Sequence, residues 1–235
     1  MRLSANYVSW TLVLMTLLFL NVESSARTPD YSRIDRHALN APAEAELSVS
    51  ALAQYLSADQ PRSVWDSRVR FWVANKAGDE WKARAIYRWV TDRIAYRIKV
   101  PDKPVDNHEY CAPDGRYWSS VVSPQTTLVN RRAYCVSYSL LYQALASKSG
   151  LSVLYIEGHA GSDDSLAEHA WNAVKIGDEW RMVDTTWGAG YVVNSKYVKL
   201  FDGKWCLAEP KGFFANHKPF EKHMSVPCYQ FMQRH

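Results

Sequence analysis

The pair Gly177-Asp178 stands between two apolar runs, and a two-residue turn there fixes the geometry of both. The first run is His169-Ala170-Trp171-Asn172-Ala173-Val174; the second is Trp180-Arg181-Met182-Val183-Asp184-Thr185-Thr186-Trp187. In a two-residue hairpin Ile176 faces Glu179, and counting back Trp171 faces Asp184. His169 lies two residues before Trp171 and so projects from the same face. His169 and Asp184 then become diagonal cross-strand neighbours, within reach of each other. A three-residue turn would set Asp184 opposite Asn172, on the wrong face.

Upstream, Cys135 sits in Arg131-Arg132-Ala133-Tyr134-Cys135-Val136-Ser137-Tyr138, where a loop gives way to a helix. A thiol, an imidazole and a carboxylate in this arrangement are a nucleophile, its base and the group that orients the base. In the first helical turn, free backbone N–H groups and the macrodipole favour a thiolate. The Cys135 N–H itself is a candidate donor to an oxyanion. Each residue also has a plainer reading. Cys135 suits a half-cystine or a small buried hydrophobe, His169 a surface residue, and Asp184 a cap before two threonines. The order and the shared register favour the chemical reading.

The first 26 residues read as an export signal. Arg2 precedes an apolar run from Thr11 to Leu20, and Ser24-Ser25-Ala26 supplies small residues for a cut after Ala26. The run is short for a membrane span, and no later segment approaches such a length. A secreted or periplasmic location follows, with no stable membrane insertion after cleavage. The net charge of +4 is mild and scattered, which argues against a nucleic-acid partner.

Four cysteines are present: Cys111, Cys135, Cys206 and Cys228. An oxidising compartment permits disulfides. With Cys135 kept free, Cys206–Cys228 is the favoured pair, since both lie in the C-terminal segment. Cys111 is a candidate redox partner or staple near Cys135. A metal site from Cys206, His217, His223 and Cys228 fits no tight zinc spacing, so neither metal nor cofactor is expected.

Along the chain, residues 27–60 read as a polar arm (27–47) followed by a short helix from Ser48 to Leu56. Residues 61–200 form the core and 201–235 an extension packed on it. Val64 to Val73 has helical spacing. Gly78-Asp79 then predicts a break, with Asp79 capping a new helix that buries Trp81, Ala85, Ile86, Trp89, Val90 and Ile94. Pro101 to Pro124 is a long irregular stretch, read as a lid. A helix from about Tyr134 to Ser149 ends at Gly150. Ser152 to Glu157 is a strand, and Gly158 to Glu168 a polar loop.

These segments resemble the transglutaminase-like superfamily. Ser123-Pro124-Gln125-Thr126-Thr127-Leu128 and Ala133 to Leu141 resemble its nucleophile helix. His169 to Val174 resembles its histidine strand, and Val183-Asp184-Thr185-Thr186-Trp187-Gly188-Ala189-Gly190 its aspartate strand. The last run, the helix Ala83 to Tyr96 and Glu209-Pro210-Lys211-Gly212-Phe213-Phe214 are most similar to the branch named for kyphoscoliosis peptidase. The resemblance covers roughly residues 79 to 215. It implies an α+β, papain-like transglutaminase core, with the nucleophile helix packed on an antiparallel sheet. It also implies metal-free acyl transfer at amide or ester carbonyls of a protein or peptide. Tyr134 and Val136-Ser137 replace the glycines that many members carry beside the cysteine. Arg97 stands where many have Asp.

The reading is therefore an exported cysteine peptidase, amidase or acyltransferase, with Cys135, His169 and Asp184 catalytic. Trp118, Tyr134, Trp171 and Trp187 are the expected substrate-binding aromatics. Gln125, Trp118 and Tyr117 are candidates for a second oxyanion donor. The competing reading is a catalytically silent module that binds peptide or glycan.

Overall fold

The computed structural model describes residues 31–43, 45–58, 69–98, 109–112, 117–119, 122–162 and 165–221; the side chains of 69–75, 109–111 and 117–119 are not described. The export signal, Cys228 and most of the Pro101–Pro124 stretch lie outside the described residues.

The longest helix, α3 (Val69–Arg93), follows α1 (Tyr31–Leu39) and α2 (Val49–Ser57). It runs unbroken through Gly78-Asp79, so the predicted break does not form. A glycine inside a helix costs about 1 kcal/mol. That is too little to stop a helix that continues on both sides of it, and Trp81 and Trp89 are buried on the part that follows, 3% and 0% exposed.

The polar-arm reading of 27–47 is likewise corrected. Ile34 and Ala38, one helical turn apart on α1, are buried in the same cluster as Leu52, Leu56, Trp81 and Trp89. The core therefore begins well before residue 61. Polar contacts fix the arm as well: Glu46 accepts from Arg131 Nη2 at 2.7 Å and from Trp89 Nε1 at 3.3 Å. Arg93 Nη2 donates to the Leu39 carbonyl at 2.8 Å.

After α3 come β1 (Ala95–Tyr96), the hairpin β2 (Glu109–Cys111) with β3 (Tyr117–Ser119), α4 (Pro124–Asn130) and β4 (Arg132–Ala133). Part of the supposed lid is thus a paired hairpin, with Tyr110 opposite Trp118. Strand β1 pairs parallel with β4, placing Tyr96 beside Ala133 and hence next to Tyr134.

Helix α5 (Cys135–Lys148) follows at once. Every residue from Ser137 to Ala146 is buried, the mark of a helix enclosed by protein rather than laid on a surface. It packs on an antiparallel sheet ordered β10-β5-β6-β7, made of β5 (Val153–Ala160), β6 (Ala167–Ile176), β7 (Glu179–Val183) and β10 (His217–Pro219). This is the expected α+β arrangement. Strand β5 extends three residues past Glu157, so most of the predicted polar loop is strand, and only residues 161–166 connect β5 to β6.

The β6–β7 register pairs Ile176 with Glu179 and Asn172 with Val183, as the two-residue turn requires. Strand β10 pairs His217 with Ala160. The C-terminal residues are therefore not simply packed on the core; they supply an edge strand of its sheet.

The Gly188-Ala189-Gly190 run sits in and after α6 (Thr185–Ala189), which leads into the hairpin β8 (Gly190–Val193) and β9 (Lys196–Lys199). A Cβ on Gly188 would lie 1.8 Å from the hydroxyl of Tyr87, itself buried and donating to the Asp202 carbonyl at 2.5 Å. Gly188→Ala is expected to destabilise the fold by about 1–3 kcal/mol through overpacking. A lowered urea midpoint with unchanged slope would show this; an unmoved midpoint would contradict it.

Candidate active site

The helix N-terminus, β6 and the end of β7 converge on one point. Cys135 is the first residue of α5, with Tyr134 as an N-cap whose side chain makes no capping bond. The helix itself therefore leaves the Cys135 N–H without an acceptor. The thiol is free and half-buried.

His169 is the third residue of β6, and its Nε2 lies 2.8 Å from Asp184 Oδ2. A carboxylate only accepts, so Nε2 carries the hydrogen. Nδ1 is left free of Asp184, and Cys135 is close enough to act on the ring. Burial works against a charged imidazole here. The Asp184 charge and hydrogen bond, joined by those of Cys135, overcome it and push His169 up to about 10.

Asp184 serves two purposes at once. It caps α6, its Oδ1 accepting from the backbone N–H of Thr186 at 2.8 Å and of Trp187 at 3.0 Å. Its Oδ2 faces His169. One oxygen thus makes the helix cap and the other holds the imidazole. The carboxylate is fully buried. Burial would raise its pKa, but His169 and His217 hold it well below the usual carboxylate range.

A second histidine was not anticipated in this role. His217 of β10 is also fully buried, with Nε2 3.2 Å from the same Oδ2. Sequence reading had offered it only as a metal ligand with Cys206, His223 and Cys228. His223 and Cys228 lie outside the described residues, and the His217 ring is committed to Asp184. His169, Asp184 and His217 are, among the described residues, the group whose donor atoms come within 4.8 Å of one another, as a cation would need. Here the hydrogen bonds already employ those atoms.

The other expected site residues separate. Trp187 stands on the wall, its ring 5.5 Å from that of His169 and lining a cleft of about 570 Å³. Tyr134 is half-buried beside Cys135, edge-on to Tyr96 at 6.1 Å. Trp171 is 0% exposed and is corrected from substrate contact to floor. Its ring lies under His169 at 6.2 Å and against the bare Cα of Gly158, where a Cβ would meet it at 2.7 Å. Gln125 is turned to the surface, where its amide donates to the Leu47 carbonyl at 3.0 Å, so it is not aimed at the thiol. Tyr117 and Trp118 fall on β3, with side chains outside the described residues.

Cys206 is a free, buried thiol pushed up to about 12 chiefly by burial, and Cys228, its expected partner, lies outside the described residues. Tyr96 was missed as a site residue. The β1–β4 pairing brings it to the cleft, and burial with the nearby Cys135 and Tyr134 raises its phenol pKa.

A Transglutaminase-like superfamily profile matches residues 67–185, just over half of the sequence. The chain belongs to the transglutaminase-like superfamily. Its fold is α+β, with the helix that begins at Cys135 packed on an antiparallel sheet. Human kyphoscoliosis peptidase is 25% identical over 155 residues, covering 62% of this chain and 22% of its own. Hillarin of Drosophila melanogaster is 24% identical over 219 residues, covering 78% and 25%. The chain thus spans about a quarter or less of the length of these relatives. The crystal structure of a candidate cysteine protease from Cytophaga hutchinsonii superposes with a TM-score of 0.38 at 16% identity, covering 77% of this chain and 53% of that one. No helix among the described residues is long and apolar enough to cross a membrane.

Proposed function

We propose that this chain is an exported cysteine enzyme that opens amide bonds of protein substrates through an acyl-enzyme on Cys135. The observation that carries the reading is the His169 ring, held at Nε2 by a buried carboxylate and influenced by a free thiol at a helix N-terminus. Cys135 Sγ, its proton on Nδ1, attacks the carbonyl carbon. The Cys135 N–H and the helix end support the oxyanion. Nδ1–H then protonates the leaving amine as the C–N bond breaks. Water or a second amine gives its proton back to Nδ1 and releases the acyl group from sulfur. Water as acceptor makes the enzyme a peptidase; an amine makes a cross-link.

The cleft suits a protein segment. Tyr96, Trp187, Tyr191, Val192 and Leu200 line it, and three of these are large exposed apolar groups on or beside the β8–β9 hairpin. The name kyphoscoliosis peptidase, borne by a relative, agrees with acyl chemistry on peptides.

Incubation with casein and a dansylated primary amine tests the proposal. New N-termini report hydrolysis and dansyl incorporation reports transfer. Either one, lost in Cys135→Ala, supports it. Neither product, with no covalent intermediate on Cys135, refutes it. Export is checked separately by N-terminal sequencing of secreted protein, expected to begin at Arg27.

A further inference from the structure

Asp184 Oδ2 is shared by two imidazoles, and the second has no part in the three-residue scheme. We propose that His217 is a positioning residue that holds Asp184 charged and aimed at His169, so that the working unit is Cys135, His169, Asp184 and His217. The inference rests on the nucleophile reading above.

Four donors surround the Asp184 carboxylate. Two backbone N–H groups fix Oδ1, which sets the plane but leaves Oδ2 free to pivot. His169 cannot fix Oδ2 by itself, because its ring must serve the thiol and change its proton during the reaction. His217 has no such duty. Its Nε2 meets Oδ2 at 3.2 Å, and its Nδ1 faces the Asn216 side chain at 2.8 Å and the Phe213 carbonyl at 3.3 Å. Its ring stacks on Phe213 at 3.8 Å between centroids and sits 4.6 Å from that of Trp187. A fully buried ring fixed on every side is a rigid donor, the support a catalytic carboxylate needs. It stands 33 residues from Asp184 in sequence, on the edge strand at the far end of the sheet order.

The other ionisable groups near Asp184 are few. Cys135 lies beyond His169, while Tyr87 on α3 and Tyr138 on α5 feel the Asp184 charge, and burial first and that charge in part keep both phenols neutral. Glu168, Asp202 and Lys204 line the cleft outside. None of these is hydrogen-bonded to Oδ2 as His217 is.

The test is the pH profile of Cys135 alkylation by iodoacetamide in the intact protein. His217→Phe keeps a planar ring but no donor, so Asp184 protonates at higher pH. The acid limb is expected to move up by about one pH unit, giving roughly tenfold slower alkylation on that limb. His217→Gln, which restores an N–H, should recover most of the loss. A merely structural His217 would leave the limb in place, and an unmoved limb in folded His217→Phe overturns the proposal. If His217→Phe does not fold, imidazole ¹⁵N shifts of the native protein decide. Nε2–H is expected; a bare Nε2 overturns the role. An ordinary thiol profile in the native protein would instead sink the nucleophile reading.

Discussion

Asp184→Asn is expected to lower the rate of acylation at Cys135 by about 10⁴-fold while leaving the protein folded. The argument follows from the four donors. The backbone N–H groups of Thr186 and Trp187 require an oxygen at the Oδ1 position, so the new amide must place its NH₂ where Oδ2 stood. That NH₂ then faces Nε2 of both His169 and His217. A ring that accepts at Nε2 must carry its hydrogen on Nδ1, the nitrogen left free of Asp184. His169 is thereby locked in the tautomer that cannot take the Cys135 proton. Pre-steady-state acylation, with circular dichroism to confirm the fold, would measure the effect. A loss of less than tenfold would mean that Asp184 is only a helix cap.

The same substitution should alter stability against pH. Asp184, held low in the folded state, contributes stability that is present above pH 3.8 and lost as the pH falls through its folded value. His169, raised to about 10, contributes stability that is full below pH 6.5 and lost as the pH climbs towards 10. Both contributions are complete between about pH 4 and 6.5. Asp184→Asn removes the first and weakens the second, so its unfolding midpoint should vary less with pH at both ends.

What could be read from the sequence was local or periodic. The hairpin register follows from one two-residue turn, and it makes His169 and Asp184 diagonal neighbours on one face. Helix α5 was legible from its start at Cys135 and its glycine stop. The failures are contacts between distant segments. Helix α1 buries only Ile34 and Ala38, too few apolar positions to show a period, and it is held by partners such as Arg93, whose guanidinium reaches the Leu39 carbonyl 54 residues away. Gly78 reads as a break by its propensity, yet the cost of one glycine, about 1 kcal/mol, does not stop a 25-residue helix. Trp171 looks like a substrate platform in the sequence because its run begins with His169, the expected base. Burial on both faces of β6 made it a floor. His217 had no local signal, since it reaches Asp184 only through the β10–β5 pairing.

Cys135 itself should show the second large effect. Alkylation in the native protein is expected to proceed at pH 6, because His169 stands by to take the thiol proton and the helix end favours the anion. A limb of that profile near pH 10 would report loss of the His169 imidazolium. His169→Ala removes the proton's other home. Only the helix end then favours the anion, and that is worth about 0.3–1 kcal/mol. Alkylation at pH 6 should then slow by about a hundredfold. Labelling of non-reduced protein with mass mapping to Cys135 would measure this, with Cys135→Ala as the blank. If His169→Ala labels as fast as the native protein at pH 6, the helix alone activates the thiol and His169 is not its base. If the native protein labels only after reductant is added, Cys135 is held in a disulfide, and the silent binding-module reading replaces the enzyme.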